Sequence, residues 1–463
     1  MRSTITVLLV FSSFLLLGQS VSLRDSYNFG YNSFGKDIAT EDGLILISSN
    51  RGTSNLYTYE NGTLEDKAEF RTTFTPRPRL GNEVAIVNGQ IFLADDEAVG
   101  IYIFDEPTGG WKSATTTRDV RPEDHLLTAS NGTAEIGRRM EVSTDRIVTI
   151  ADNENAVYVY EKPTTGWATA TESVIINATT IGLDLVGAIH LAGQEIYVGG
   201  RNQSGQLVVV VFDYNGTTWT RRAELGPITG NGIAERILFD ATTNSLFVSS
   251  KGTFPVGIFI KPASGWVDRA SFDSQIPVEN TYDRIGTEIK IHDDQLFILD
   301  REDLNSSSDR QSQLRVFQRT GSDWTQNIKV STSLVGLSNK IGFDGAFIFI
   351  GQSLRSQTLL IYVQNYALSP SQTTGALIDQ NPTFSFTANE TMDLSGTLSD
   401  YVSVQGDQSG KLSFNASANG NQLDVEILDV LFPGEQITVT VSNIPNSDNS
   451  KSSNILIQRF YVK

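Results

Sequence analysis

Val84-Ala85-Ile86-Val87-Asn88-Gly89-Gln90-Ile91-Phe92-Leu93-Ala94 decides the fold of this chain. Two apolar runs flank an Asn-Gly pair, which signals a β-hairpin because both turn residues must take positive φ. Downstream, Gly100-Ile101-Tyr102-Ile103-Phe104 reads as a third strand, and Gly110-Trp111 follows as a turn into a fourth, more polar one. Upstream, Leu80-Gly81 opens the unit.

The unit recurs. Trp111, Trp167, Trp219, Trp266 and Trp324 each follow a Gly by one or three residues. Each also lies seven residues after an aromatic: Phe104, Tyr160, Phe212, Phe259 and Phe317. Opening pairs stand at Phe34-Gly35, Leu80-Gly81, Ile136-Gly137, Asn231-Gly232, Ile285-Gly286 and Val335-Gly336, with Asp184-Leu185 substituting in the fourth unit. The anchors lie 46 to 56 residues apart. Four short strands at that period predict the blade of a β-propeller, with the aromatic and the indole filling the space between blades. The spacing therefore predicts an all-β protein: a seven-bladed β-propeller over 23–366. The seventh unit lacks a Gly-Trp strand after Ile361-Tyr362-Val363, and the segment 23–32 is expected to complete it and close the ring.

These repeats resemble the FG-GAP repeats of integrin-α-type propellers, in their Gly-x-x-Val-Ala-x-x-x-Gly-x-Ile run followed by Tyr-x-Phe and Gly-Trp. The resemblance covers roughly 34–365 and implies fold more than function. Integrin-type repeats often insert an Asp-rich calcium loop between the first two strands, and calcium needs six to eight oxygens from a loop that wraps it. Here that connection is two residues in most units, with Asp240–Asn244 the longer one. Calcium is not carried over by loop length, and no cofactor is required. Acidic clusters lie in the next loop instead, where Asp95, Asp96, Asp152 and Asp300 are candidate metal ligands or exposed turn carboxylates.

After Tyr366 the period breaks. Residues 367–374 are polar and read as a linker, and six alternating strands follow over 375–463. This stretch resembles the bacterial immunoglobulin-like domain of S-layer proteins in Leu368-Ser369-Pro370, Pro382-Thr383-Phe384-Ser385-Phe386, Leu431-Phe432-Pro433-Gly434-Glu435 and Thr438-Val439-Thr440-Val441. The resemblance implies an Ig-like β-sandwich in a surface or matrix setting.

Catalytic chemistry is not legible. There is no Gly-x-Ser-x-Gly elbow, phosphate loop or dinucleotide fingerprint. His125 falls in a polar loop, while His190 and His292 fall on first strands, where they can face the ring's interior. No zinc spacing joins them. Sequons at Asn61, Asn131, Asn177, Asn202, Asn215, Asn305, Asn389 and Asn415 are acceptors if the host glycosylates.

The chain begins with one positive charge and an apolar stretch from Ile5 to Leu17, then small residues at Ser20 and Ser22. That pattern predicts a signal peptide over 1–22 and an exported protein, since a spanning helix needs about 20 apolar residues. No cysteine exists, so disulfides contribute nothing. A net charge of −18 opposes nucleic acid and anionic membranes. The sequence therefore predicts a secreted or cell-surface, non-enzymatic binding or adhesion protein, whose propeller loop face recognises an extracellular protein or glycan. The alternatives are a glycan-active hydrolase or lyase with its site at the channel mouth, and a structural matrix component.

Overall fold

A computed structural model describes residues 20–463, apart from 30–33, 50–52, 61–62, 71–79, 96–99, 114–119, 122, 229–236, 251–255, 277–282, 293–294, 303–310, 321–322, 333–338, 345–346, 353–357, 367, 372–375, 381, 389–390, 394–400, 443, 447–451 and 454–455. Of the expected signal peptide 1–22, residues 1–19 lie outside the described residues; a strand, Ser20–Asn28, begins just before the expected cleavage point. Among the described residues no helix is long and apolar enough to cross a membrane.

The protein is all-β, a propeller-like succession of four-stranded antiparallel sheets. Contacts divide it into a large unit, Leu23–Val363, and a smaller one built on Gln364–Lys463. In the large unit the sheets open with inner strands Phe34–Glu41, Leu80–Val87, Ile136–Val142, Leu183–Ala192, Ile237–Thr242, Asp283–His292 and Asn339–Asp344. Each inner strand touches the next in order, and Asn339–Asp344 touches Phe34–Glu41, so the inner strands form a closed ring. The seventh sheet runs Asn339–Asp344, Phe347–Gln352, Thr358–Tyr366 and then Ser20–Asn28, as expected for a closing N-terminal strand.

The sequence pattern explains the layering. Second and third strands are covered on both faces by neighbouring sheets, so they read as continuous apolar runs. Arg146–Ala151 is buried throughout, and Leu207–Tyr214 is buried through Phe212. Outer strands such as Glu172–Asn177 alternate, with one face wet. The Asp42-Gly43 and Asn88-Gly89 turns have positive φ at both residues, from 50° to 79°, the type I′ geometry that their composition predicts.

The cores lie between sheets. One joins Phe92, Ile101 and Ile103 of the second sheet to Tyr158, Tyr160 and Trp167 of the third. The opening glycines make this approach possible: a Cβ on Gly81 would stand 2.5 Å from Ser48 Cβ of the preceding sheet.

Three expectations for the large unit shift. Gly-Trp does not always start the fourth strand: Trp111 and Trp167 begin 3-10 turns, and the outer strands His125–Leu127 and Glu172–Asn177 follow later. His125 thus opens a strand rather than sitting in a loop. The Asp240–Asn244 connection is also tight, because the strand Ile237–Thr242 extends through Asp240 and pairs Thr242 with Ser245.

The smaller unit packs two sheets over one core. One contains Leu368–Pro370, Thr383–Ala388, Gln422–Ile427 and Phe414–Asn419; the other contains Leu377–Ile378, Leu456–Val462, Gln436–Val441, Val402–Gly406 and Gly410–Lys411. Phe384, Phe386, Leu423 and Val425 of the first meet Val404, Ile437, Val439 and Phe460 of the second. Leu368–Pro370, inside the stretch read as a linker, is an edge strand bonded to Phe386–Ala388.

Candidate functional site

Every hairpin between a first and second strand ends alike, which aligns the inner strands. Glu41 pairs with Leu44, Val87 with Gln90, Ala192 with Glu195, Thr242 with Ser245, His292 with Gln295 and Asp344 with Phe347. In the third sheet the Ser143 N–H donates to the Arg146 carbonyl at 2.8 Å. Since side chains alternate along a strand, residues two and four before these turns share a side. Four before stand Asp37, Glu83, Arg139, Ala188, Leu238, Glu288 and Lys340. Two before stand Ala39, Ala85, Glu141, His190, Asp240, Lys290 and Gly342. All but His190 and Asp240 border a cavity of about 420 Å³ at the ring's axis.

Most of these carboxylates bind the next sheet. Asp37 Oδ2 accepts the Val84 N–H at 2.7 Å, and Glu83 Oε2 accepts the Met140 N–H at 2.8 Å. Asp240 Oδ2 accepts from Ile291 N–H at 2.8 Å, and Glu288 Oε2 from Ile341 N–H at 2.6 Å. At the turns Glu41 accepts from the Asn88 and Gly89 N–H groups, both at 2.8 Å, and Asp344 likewise accepts from Gly43 N–H of the first sheet. Across the same seam the Thr40 hydroxyl donates to the Phe343 carbonyl.

Cations cross-link the charges. Arg139 Nη1 donates to Glu83 Oε1 at 2.9 Å. Lys340 Nζ lies 3.3 Å from Glu288 Oε1 and 3.9 Å from Asp37 Oδ1. His190 bridges two sheets, its Nε2 3.2 Å from Asp240 Oδ1 and its Nδ1 3.7 Å from Glu141 Oε1. His292 instead stacks on Phe343, ring centroids 4.6 Å apart.

This crowding sets the titration. Burial pushes Asp37 up to about 6, with Glu83 and Glu288 adding to it and Lys340 opposing. Burial alone would depress His190, but the carboxylates of Asp240 and Glu141 outweigh it and raise its pKa. Burial would raise Glu141; its hydrogen bond and charge interaction with His190 hold it below the ordinary value instead. Glu288 raises Lys340 against burial, and Asp240, Glu288 and Glu141 do the same for Lys290.

The residues singled out from sequence fall elsewhere. Among the described residues, no three His, Asp or Glu side chains are grouped to hold a metal. Asp95 is buried at the end of Gln90–Asp95, Asp152 pairs with Arg138, Asp300 sits in Gln295–Glu302, and Asp96 lies outside the described residues. His125 Nε2 stands 3.0 Å from Asp105 Oδ2. Asn131, Asn177, Asn215 and Asn415 are exposed and Asn202 half-buried; Asn61, Asn305 and Asn389 lie outside the described residues. The indoles seal sheet against sheet: Trp111 on Phe70, Trp167 on Phe92, Trp266 on Tyr197 and Trp324 on Phe247. Trp219 packs at a tilt against Tyr214 of its own sheet and lies under Arg146 of the preceding one. The axial charges escape sequence reading unless each strand is counted back from its turn, a signal the sequence does hold.

No family model and no curated protein matches this chain. Among solved structures, it is similar to the WD40 β-propeller domain of Doa1, at 8% identity and a TM-score of 0.47, covering 74% of this chain and 97% of that one. A protein from Lactobacillus plantarum shares 16% identity at a TM-score of 0.44, covering 64% and 84%. The computationally designed Ika8 protein shares 10% identity at 0.42, covering 73% and 98%. The propeller-like character of this chain rests on its sheet order and ring contacts, and not on these distant likenesses.

Proposed function

We propose that this chain is a secreted or cell-surface, non-enzymatic binding or adhesion protein: a seven-bladed propeller of FG-GAP type carrying an Ig-like sandwich. Its loop face would recognise an extracellular protein or glycan, and the exposed sequons would carry glycans in a glycosylating host. One observation supports the reading above others. The carboxylates of Asp37, Glu83, Asp240 and Glu288 each accept a backbone N–H from the next inner strand, so they serve to fasten the ring. A closed ring of inner strands that presents its connecting loops is a recognition platform. Screening the full chain against glycan arrays and matrix proteins tests this; silence across broad panels counts against it.

A second reading, a glycan-active hydrolase or lyase, is favoured by the meeting of Glu141, His190 and Asp240 beside the axis. It requires turnover of a polysaccharide that Glu141→Gln or Asp240→Asn abolishes while the protein stays folded.

A further inference from the structure

We propose that the axial cavity binds a small zwitterion, a molecule carrying one ammonium and one carboxylate group. The inference does not depend on what the loop face recognises. It starts from an imbalance among the groups bordering the cavity. Lys290 has no carboxylate oxygen within 4 Å of its ammonium among the described residues; Asp240, Glu288, Glu141 and Asp37 act on it only from farther away. Among the described residues it is the axial cation without a close carboxylate, since Arg139, Lys340 and His190 each have a carboxylate oxygen within 3.3 Å.

The opposite deficiency exists among the acids. Lys340 is shared between Glu288 and Asp37, and its ammonium stands 3.9 Å from Asp37 Oδ1. Glu141 has, among the described residues, only His190 as an ion-pair partner, at 3.7 Å. One cation therefore awaits an anion, and two carboxylates await a better-placed cation, around a single space.

That space has room for a ligand. Ala39, Ala85 and Gly342 place almost no side chain into it where other sheets place Glu141 and Lys290, and 420 Å³ lies within the range of small-molecule sites. An anion alone would answer Lys290 while facing the four carboxylates of Asp37, Glu83, Glu141 and Glu288. An amine alone would answer Asp37 and Glu141 and leave Lys290 repelling it. A zwitterion meets both demands without changing the net charge of the axis. Since burial and acidic neighbours raise Asp37 to about 6, an incoming ammonium would also displace its proton near that pH.

The test is calorimetry and thermal melting of the full chain with two probe zwitterions, L-alanine and 6-aminohexanoate. Methylamine and acetate, alone and mixed, serve as the separated halves. At least one zwitterion should bind and raise the melting midpoint, the halves should bind at least tenfold more weakly, and binding near pH 6 should release protons. Failure of both zwitterions to bind, or equal binding by either half, overturns the proposal. Lys290→Met should weaken binding at least tenfold, and unchanged binding also overturns it. Should Lys290→Met not fold, Lys290→Arg must retain binding and the cavity-filling Ala85→Leu must lose it.

Discussion

Trp167 of the third sheet and Trp266 of the fifth occupy the same slot in the ring, yet only one finds a partner for its N–H. Trp266 stands edge-on to Tyr197 at 6.0 Å and 88°, and its Nε1 lies 3.1 Å from the Tyr197 hydroxyl and 3.2 Å from Glu195 Oε2. Trp167 stands edge-on to Phe92 at 6.0 Å and 89°, and its buried Nε1 has no acceptor. Phe92 fills the Tyr197 position with a ring that lacks the oxygen. Phe92→Tyr should therefore stabilise the fold, by about 1 kcal/mol, the ordinary net value of a buried hydrogen bond. A urea midpoint that falls rather than rises would show that the slot has no room for the hydroxyl. Gly137 makes the contrary case. At φ 111° a Cβ would stand 2.8 Å from the Gly100 carbonyl oxygen of the neighbouring sheet, and neither backbone can retreat cheaply. Gly137→Ala should cost about 3 kcal/mol, from strain and overpacking together, read as a lowered denaturation midpoint.

At the scale of single elements, the hairpin turns and buried middle strands were legible because each depends on neighbours close in sequence. Asn88-Gly89 needs only its own φ angles, and Ile147-Val148-Thr149-Ile150 needs only apolar cover on two faces. The outer strands were legible only in part. Whether Trp167 starts a strand or a 3-10 turn depends on how the indole reaches Phe92, a residue 75 positions earlier, and local pattern does not carry that. The axial tiers show in the sequence only when each strand is counted back from its turn, and even then Lys340 has no meaning until Glu288 and Asp37 stand beside it. The N-terminal strand sits between these cases. Ser20–Asn28 completes the sheet of Thr358–Tyr366, although nothing local to either segment specifies the pairing. Deleting residues through Asn28 should expose a full sheet edge, lower the melting midpoint and promote association between chains, measurable by calorimetry and light scattering. An unchanged, monomeric protein would remove the closing role of that strand.

For the molecule as a whole, the axis ties stability to pH. Asp37 has a folded pKa of about 6 against an ordinary 3.8, so between those values the folded state holds a proton that the unfolded chain releases. Stability therefore falls as pH rises through about 6. The raised pKa of His190 acts in the same sense, its contribution being complete below the ordinary 6.5 and lost as pH climbs through the higher folded value. Growing self-repulsion in a chain of net charge −18 adds to both. The melting midpoint should be higher at pH 5.5 than at pH 8, and Asp37→Asn should flatten part of the difference. A midpoint that climbs from pH 5.5 to 8 would show that other carboxylates govern the titration.

The seam at the seventh sheet has one further consequence, for the order of events during synthesis. A strand near the start of the chain must wait unpaired until the residues around 360 emerge, more than 300 positions later. Closure is then a late step with a large loop entropy, slow beside the formation of any single hairpin. Until it happens the growing protein carries two open, sticky margins that fit each other, and anything that delays their meeting gives a second copy time to supply the missing edge.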